Sequence, residues 1–267
     1  MSPLSIDHHG WLLRGQILLA SRPRWPRGPV VRRSEIIDGT ADTAVLRLQQ
    51  LLADAPSGRF DTLTLHLGAP WVRYSVLPWQ DNLKRDADWQ GYARVLMASQ
   101  FNVATDTWRV AIEDGGYGAP RLAAGVDQGL YQTLLELART RRCKLQAVAP
   151  LLTDVTNRYS AGLKSREFAL ILAEHEHVSC LFRKQRHWRG VVTLPMPAGG
   201  LSGASLSSLI RDAAMLASDF VPRNLYLAAA QEPVIEQHDD SFDVEWLGGL
   251  HPLLDAASEW ARPEVSA

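Results

Sequence analysis

The sequence has little cysteine, almost no net charge and no long apolar run. Only Cys143 and Cys180 occur among 267 residues, too few for a disulfide framework, which favours a reducing compartment such as the cytosol. The net charge of −1 excludes the basic field of a typical nucleic-acid-binding protein. No apolar run approaches the roughly 20 residues that span a bilayer, and residues 2–10 lack the pattern of a signal peptide. We therefore expect a cytoplasmic protein that reaches a membrane only through another protein.

Before residue 63 the apolar spacing predicts strands, then a helix, then a strand. Apolar runs at 11–13 and 16–19 indicate a meander of two or three strands. Apolar residues at helical spacing over 42–53 indicate a helix ahead of the strand that begins at Leu63.

After residue 160 the same order of elements returns. Alternating apolar segments predict strands, and one amphipathic stretch predicts a helix. The predicted elements are strands at 168–172, 178–182 and 188–194, a helix at 204–218, strands at 224–228 and 242–246, and a helix at 252–260. Two halves with the same element order are therefore expected.

The stretch 63–159 between these parts reads as one compact unit. Two-residue alternation at 63–67 and 71–79 predicts paired strands, and apolar residues over 89–97 predict a helix that Asp88 caps. The later pattern predicts a hairpin of strands at 108–113 and 122–126, a helix capped by Asp127, a strand at 145–149 and a helix ending near Tyr159.

This order resembles the actin-like fold, in which an RNase H-like half is duplicated. The residues that carry the resemblance are the strand at 72–79, the helix start at 89–93, the hairpin at 116–120 and the helix cap Asp127. More specifically, the chain resembles the PilM proteins of type IV pilus assembly and the cytoplasmic domains of the GspL proteins of type II secretion.

The resemblance implies an α/β protein of two RNase H-like halves with mixed sheets. The first half covers residues 1–160 and contains an inserted α+β subdomain within residues 63–150, and the second half covers residues 161–267. The implied function is that of a non-catalytic cytoplasmic scaffold, peripheral at the inner membrane, that binds the cytoplasmic segment of a bitopic pilus or secretion protein. A secretion ATPase is a further implied partner.

Actin-like ATPases hold phosphates with a glycine-rich turn and a carboxylate in each half, because backbone N–H groups and a metal-binding acid must surround the anion. The equivalent segments here are residues 5–10, which contain bulky His8 and His9, and residues 172–177, which contain no glycine. A glycine cluster at 199–203 precedes a helix, where an anion can bind. We expect no catalytic residue, no bound cofactor and no ATP hydrolysis.

Two other functions stay open on the sequence alone. One is a nucleotide-binding enzyme of the same fold, either an ATPase or a sugar-kinase-like protein. The other is an unrelated hydrolase that uses His8 or His9 as a base, although no Gly-x-Ser-x-Gly motif marks a nucleophile.

The run 174–177, Glu-His-Glu-His, contains metal-ligand residue types. Alternation leaves only His175 and His177 on one side, so we expect a solvated turn and no metal site.

Arg73, Trp79 and Tyr92 are the predicted partner-binding residues. The chain has nine tryptophans, and tryptophan, tyrosine and arginine are enriched at binding surfaces. The alternative is that these rings cover the neighbouring helix. A partner segment is expected at the junction of the inserted unit and the first half, where a strand edge offers main-chain hydrogen bonds.

Overall fold

The structure, a computed structural model, describes residues 4–37, 39–230 and 241–255. The described residues form thirteen strands and six helices. Through residue 101 they are β1 (Ser5–Leu13), β2 (Gln16–Trp25), β3 (Val31–Ile36), α1 (Ala41–Asp54), β4 (Thr62–Leu67), β5 (Val72–Leu77) and α2 (Asp86–Phe101). Beyond it they are β6 (Trp108–Ile112), β7 (Arg121–Asp127), α3 (Gln128–Thr140), β8 (Lys144–Pro150), α4 (Leu151–Arg158), β9 (Glu167–Ala173), β10 (His177–Lys184), β11 (His187–Pro195), α5 (Gly203–Ala217), β12 (Asn224–Ala229), β13 (Asp243–Gly248) and α6 (Pro252–Asp255).

The first sheet has five strands in the order β3-β2-β1-β4-β8. β1, β2 and β3 form the predicted antiparallel meander, and β4 lies parallel to both β1 and β8. Helix α1 packs closely on this sheet at Gly10, where an added Cβ would lie 3.0 Å from Leu65 Cδ2 and 3.2 Å from Leu48 Cδ1. A residue larger than glycine would therefore require these leucine side chains to shift by a few tenths of an ångström.

The second sheet repeats this arrangement, with the order β11-β10-β9-β12-β13. β9, β10 and β11 are antiparallel, and β12 lies parallel to β9 and β13. Helix α5 buries Leu206, Leu209 and Ile210 against one face. The predicted strands and the helix of this part are confirmed. The predicted last helix is described over Pro252–Asp255, and the remainder, to residue 260, lies outside the described residues.

A separate three-stranded sheet, in the order β5-β7-β6, is formed by the part of the chain between β4 and β8 of the first sheet. Helix α2 packs on it through Trp89, Ala93 and Met97. On the other face of β5, Tyr74 is buried in the main core, and its hydroxyl accepts a hydrogen bond from the Leu152 N–H (3.1 Å). The β6–β7 hairpin is antiparallel, as the alternation predicts.

The expected pairing of the strands at 63–67 and 71–79 is wrong. β4 pairs with β1 and β8, whereas β5 pairs with β7. Leu63, Leu65 and Leu67 are fully buried, and both edges of β4 are occupied by neighbouring strands, so no edge is free for β5. Alternation identifies a strand but does not identify its partner.

The two helix caps predicted in this region have different outcomes. Asp127 caps α3 as expected, since its Oδ1 accepts a hydrogen bond from the Leu130 N–H (3.0 Å). Asp88 does not occupy the cap position, because α2 begins earlier and its cap residue is Arg85. Asp88 instead accepts the Arg85 N–H (3.3 Å) and pairs with the Arg85 guanidinium (2.8 Å).

Both cysteines, Cys143 and Cys180, are free thiols. Among the described residues, no helix combines the length and the apolar character that a membrane crossing requires.

Candidate functional site

Two hairpin turns, one from each five-stranded sheet, lie in direct contact. The turn between β1 and β2 contains Arg14 and Gly15, and the turn between β9 and β10 contains Glu176. Arg14 Nε lies 3.1 Å from Glu176 Oε2. Gly15 has a φ of +72°, and a Cβ there would lie 2.6 Å from Glu176 Oε1. Glycine therefore serves both the left-handed backbone and the close approach of the second turn.

Glu174 fills the space beside this contact. Its side chain is buried, and its Oε2 accepts a hydrogen bond from the Ala69 N–H (3.0 Å). The carboxyl group also lies against Gly68, at the place a Cβ would take. Burial raises the pKa of Glu174 to about 8, although the Ala69 N–H opposes this shift. The Glu174 carboxyl group is therefore largely protonated at neutral pH and fills this space as a neutral polar side chain.

The prediction that residues 5–10 correspond to a phosphate-binding turn is wrong, because these residues lie in β1. Asp7 is buried there, and it accepts hydrogen bonds from Arg24 Nε (2.6 Å) and Thr62 Oγ1 (2.6 Å). These groups hold the pKa of Asp7 below its usual value, against the effect of burial. The carboxylate is engaged in an internal network, so it is not presented at a turn.

The expected turn at 174–177 is present, but its residues are not gathered around one point. Glu174 is buried, whereas His175 and Glu176 are exposed. Burial, together with the charge of Arg14, lowers the pKa of His177. Among the described residues, no group of metal-ligand atoms forms in this turn.

The glycine cluster at 199–203 precedes α5, as predicted. Gly199 and Gly200 both have positive φ, of 86° and 82°. The helix is capped by Ser202, whose Oγ accepts a hydrogen bond from the Ser205 N–H (3.4 Å). Since a side chain of the chain itself occupies the cap position, the cluster serves the start of this helix.

Trp79 and Tyr92, two of the three predicted partner-binding residues, lie in one aromatic cluster. Both rings contact buried Trp89, with centroids 5.6 Å and 6.2 Å away respectively. Exposed Tyr117 lies 4.9 Å from Trp79. Both predicted residues are half-buried, so each ring covers α2 on one side and meets solvent on the other.

Arg73 lies near the start of β5, whereas Trp79 lies just after the end of this strand. Trp79 is six residues further along the extended chain, about 20 Å at roughly 3.3 Å per residue. The Arg73 guanidinium lies over two rings, 5.1 Å from Phe101 and 5.6 Å from Trp108. Within the described ranges, Arg73 has no hydrogen bond or ion pair. The structure thus does not bring Arg73 together with Trp79 and Tyr92.

Arg73 lines a cleft of 520 Å³ between α1 and the three-stranded sheet. Asp42 and Val45 form the α1 wall, and Trp71 and Trp108 form the other. The cleft therefore combines aromatic surface with an arginine, which are features of binding sites.

A cluster of three histidines is also present, and the sequence reasoning missed it. His9 lies on β1, His66 on β4 and His251 just before α6, and their ligand atoms all lie within 4.8 Å of one another. The sequence marks His9 only as a candidate hydrolytic base, with His8 as the alternative. His9 and His66 are 57 residues apart, so no short motif joins them. The feature that could have indicated the cluster is the parallel pairing of β1 with β4, which places His9 and His66 on the same face of the sheet.

No protein-family model matches this chain, and no curated protein sequence matches it. Comparison with solved structures shows that the chain has the actin-like ATPase fold, which confirms the predicted fold.

One similar structure is a Bacteroides thetaiotaomicron protein with an actin-like ATPase fold and unknown function, at a TM-score of 0.53 and 10% identity over 84% of this chain and 82% of that one. Another is the cytoplasmic domain of EpsL, an inner membrane component of the type II secretion system of Vibrio cholerae, at a TM-score of 0.56 and 11% identity over 94% and 92%. A PilM-PilN type IV pilus biogenesis complex has a TM-score of 0.47 and 14% identity over 79% and 66%. The fold assignment rests on the first two.

Proposed function

We propose that this chain is a non-catalytic cytoplasmic scaffold of a type II secretion or type IV pilus machine. The observation that carries the proposal is the contact between the two hairpin turns through Arg14 and Glu176, together with buried Glu174, which accepts a hydrogen bond from Ala69 in the segment after β4. The match in fold to the EpsL cytoplasmic domain over nearly the whole chain supports this role.

The turn contact argues against a nucleotide site by simple sterics. A phosphate group needs backbone N–H groups that are free to donate and space beside them. Here the Glu174 carboxyl takes the Ala69 N–H, and Glu176 lies against Gly15. A triphosphate would have to displace both side chains and break the Arg14 ion pair.

Calorimetric titration with ATP and Mg²⁺ tests this part of the proposal. We expect no binding in the low micromolar range from protein that unfolds cooperatively on heating. A low micromolar dissociation constant would show that the turns open for nucleotide, and the actin-like enzyme would then be the better assignment.

The cytoplasmic segment of a bitopic inner-membrane protein is the proposed partner, and the cleft beside Arg73 is its proposed anchor. The Arg73 guanidinium lies over the rings of Phe101 and Trp108, and its N–H groups can donate to a carboxylate or carbonyl oxygen of the segment. The tryptophan walls suit an apolar side chain. Trp79 and Tyr92, at the far end of β5, are proposed as a second contact.

Binding of the partner is tested with two variants and one control. Proteins that co-purify from inner membranes are identified, and the cytoplasmic segment of a single-span candidate is synthesised and titrated. Arg73→Ala should weaken binding at least about tenfold, and Trp79→Ala about thirtyfold, or roughly 2 kcal/mol. Lys164→Ala, an exposed change in the second half, should bind like the unchanged protein.

The melting temperature of each variant separates binding from folding. Arg73 and Trp79 are half-buried, so we expect only small decreases. Normal affinity in both folded variants would refute the proposed surface. Unfolding of Trp79→Ala would show that this ring is a core residue that covers α2.

A further inference from the structure

The three histidines of the cluster come from three different parts of the fold. His66 is buried, and His9 and His251 are half-buried. His9 Nδ1 lies 3.3 Å from His66 Nε2, and the ring of His251 lies 5.2 Å from that of His9 and 5.1 Å from that of His66. Their nitrogen atoms therefore converge on one point that solvent reaches from the side of His9 and His251.

A carboxylate lies next to the buried nitrogen of the central ring. Asp154 Oδ2 lies 3.2 Å from His66 Nδ1, and Arg158 Nη2 lies 3.2 Å from the same oxygen. An acid in this position favours the tautomer with the proton on Nδ1. The lone pair of Nε2 then points toward His9. Histidine ligands of metals usually have such a carboxylate behind them.

Buried Trp11 forms the floor of the cluster. Its ring stacks on His66 at 5.0 Å with an interplanar angle of 9°, and it meets His251 edge-on at 5.1 Å. This apolar floor limits the rotation of the imidazoles. Burial lowers the pKa of both His9 and His251.

We propose that His9, His66 and His251 bind a transition-metal ion, with zinc(II) as the expected ion. Neutral imidazole is a preferred ligand of zinc. Two nitrogens that bind zinc at about 2.0–2.1 Å in a tetrahedral arrangement lie about 3.3 Å apart, which is the observed separation of His9 Nδ1 and His66 Nε2. The ligand atom of His251 lies within 4.8 Å of those of His9 and His66. Its Nδ1 accepts a hydrogen bond from the Leu253 N–H (3.1 Å), so Nε2 would bind the metal. Water would take the fourth position.

The metal would join the first sheet to the segment ahead of α6. This segment is already held by Arg158 Nη1, which donates to the Leu250 carbonyl (2.5 Å), and by Tyr159, whose hydroxyl donates to the Gly249 carbonyl (2.7 Å). His251 would add a bond between that segment and β1 and β4. The site thus acts on the stability of the fold and is independent of the partner surface.

A second group of metal-ligand residue types, His8, Asp61 and Cys143, supplies a control. Asp61 accepts the N–H groups of Ile6 (2.9 Å) and Gly58 (2.8 Å). Burial raises the pKa of Cys143, which keeps its thiol protonated. His8 Nδ1 is hydrogen-bonded to Ser21 Oγ (2.8 Å), and the Cys143 thiol donates to the Arg141 carbonyl (3.6 Å). Each member of this group therefore already has a partner outside the group.

Titration of metal-free protein with Zn²⁺ tests the proposal. We expect one ion per chain with a micromolar or tighter dissociation constant, and a higher melting temperature in its presence. His9→Ala and His251→Ala should each weaken binding more than about 100-fold, and Asp154→Asn about 10-fold to 100-fold. Cys143→Ala should bind as the unchanged protein does, and Mg²⁺ should not compete. Co²⁺ in place of Zn²⁺ should give the visible absorption of a four-coordinate site.

Two results would overturn the proposal. One is a folded protein that takes up no Zn²⁺ in the micromolar range, which would leave the contact between His9 and His66 as a hydrogen bond only. The other is binding that persists in both folded variants, His9→Ala and His251→Ala.

Discussion

Replacement of Glu174 by glutamine is expected to remove a loss of stability that the unchanged protein suffers as the pH rises. Burial raises the pKa of Glu174 from 4.5 to about 8 in the folded state. Between these values the folded chain binds more protons than the unfolded chain, so the free energy of unfolding falls with increasing pH. The slope is about 1.4 kcal/mol per pH unit. Over the whole window the loss reaches at most about 5 kcal/mol, and it is absent below pH 4.5.

Glutamine cannot ionise, and its amide oxygen can still accept the Ala69 N–H. The difference in unfolding free energy between Glu174→Gln and the unchanged protein should therefore increase from pH 5 to pH 8, in favour of the variant. Other titrating groups are common to both proteins and cancel in this difference.

Urea unfolding followed by tryptophan fluorescence measures this difference at each pH. Glu176→Gln is the matched control, because it lies in the same turn but is exposed. Loss of its ion pair with Arg14 should change the stability by no more than about 1 kcal/mol. A difference for Glu174→Gln that stays constant from pH 5 to pH 8 would refute the argument from burial.

Two further substitutions test local features of the fold by the same unfolding measurement. Gly15→Ala should lower the free energy of unfolding by about 1–3 kcal/mol, because the residue has a left-handed backbone and its Cβ would meet Glu176. Gly116→Ala, where a Cβ would meet no atom within 4 Å, should have little effect. Asp127→Ala should cost about 1 kcal/mol through loss of the α3 cap. An unchanged stability would contradict either role.

Strong apolar periodicity was sufficient to predict the type and place of most elements. The helix predicted at 204–218 is α5, Gly203–Ala217, and the strand predicted at 224–228 is β12, Asn224–Ala229. In α5 the buried residues recur at helical spacing, and in β12 they form one short run of consecutive residues. Both patterns appear directly in the sequence. The cap at Asp127 is equally local, since donor and acceptor are three residues apart.

Apolar periodicity did not predict which strands pair with each other. β4 and β5 both alternate, but β4 is a central strand of the first sheet and β5 belongs to the three-stranded sheet. Similarly, Arg73 and Trp79 both occur in one short stretch of sequence, but the extended chain of β5 carries them to opposite ends of the three-stranded sheet.

The sequence by itself determined which residues face inward along each element, and hence the repeated order of strands and helices that predicts the actin-like fold. Tertiary structure alone decided which distant side chains meet. Glu174 reaches Ala69 only because the β9–β10 turn lies against the segment between β4 and β5, and His9 meets His66 and His251 only because β1 pairs with β4 beneath the segment before α6. Periodicity records the face of a side chain, whereas such contacts depend on strand order and register, which arise when the whole core is buried.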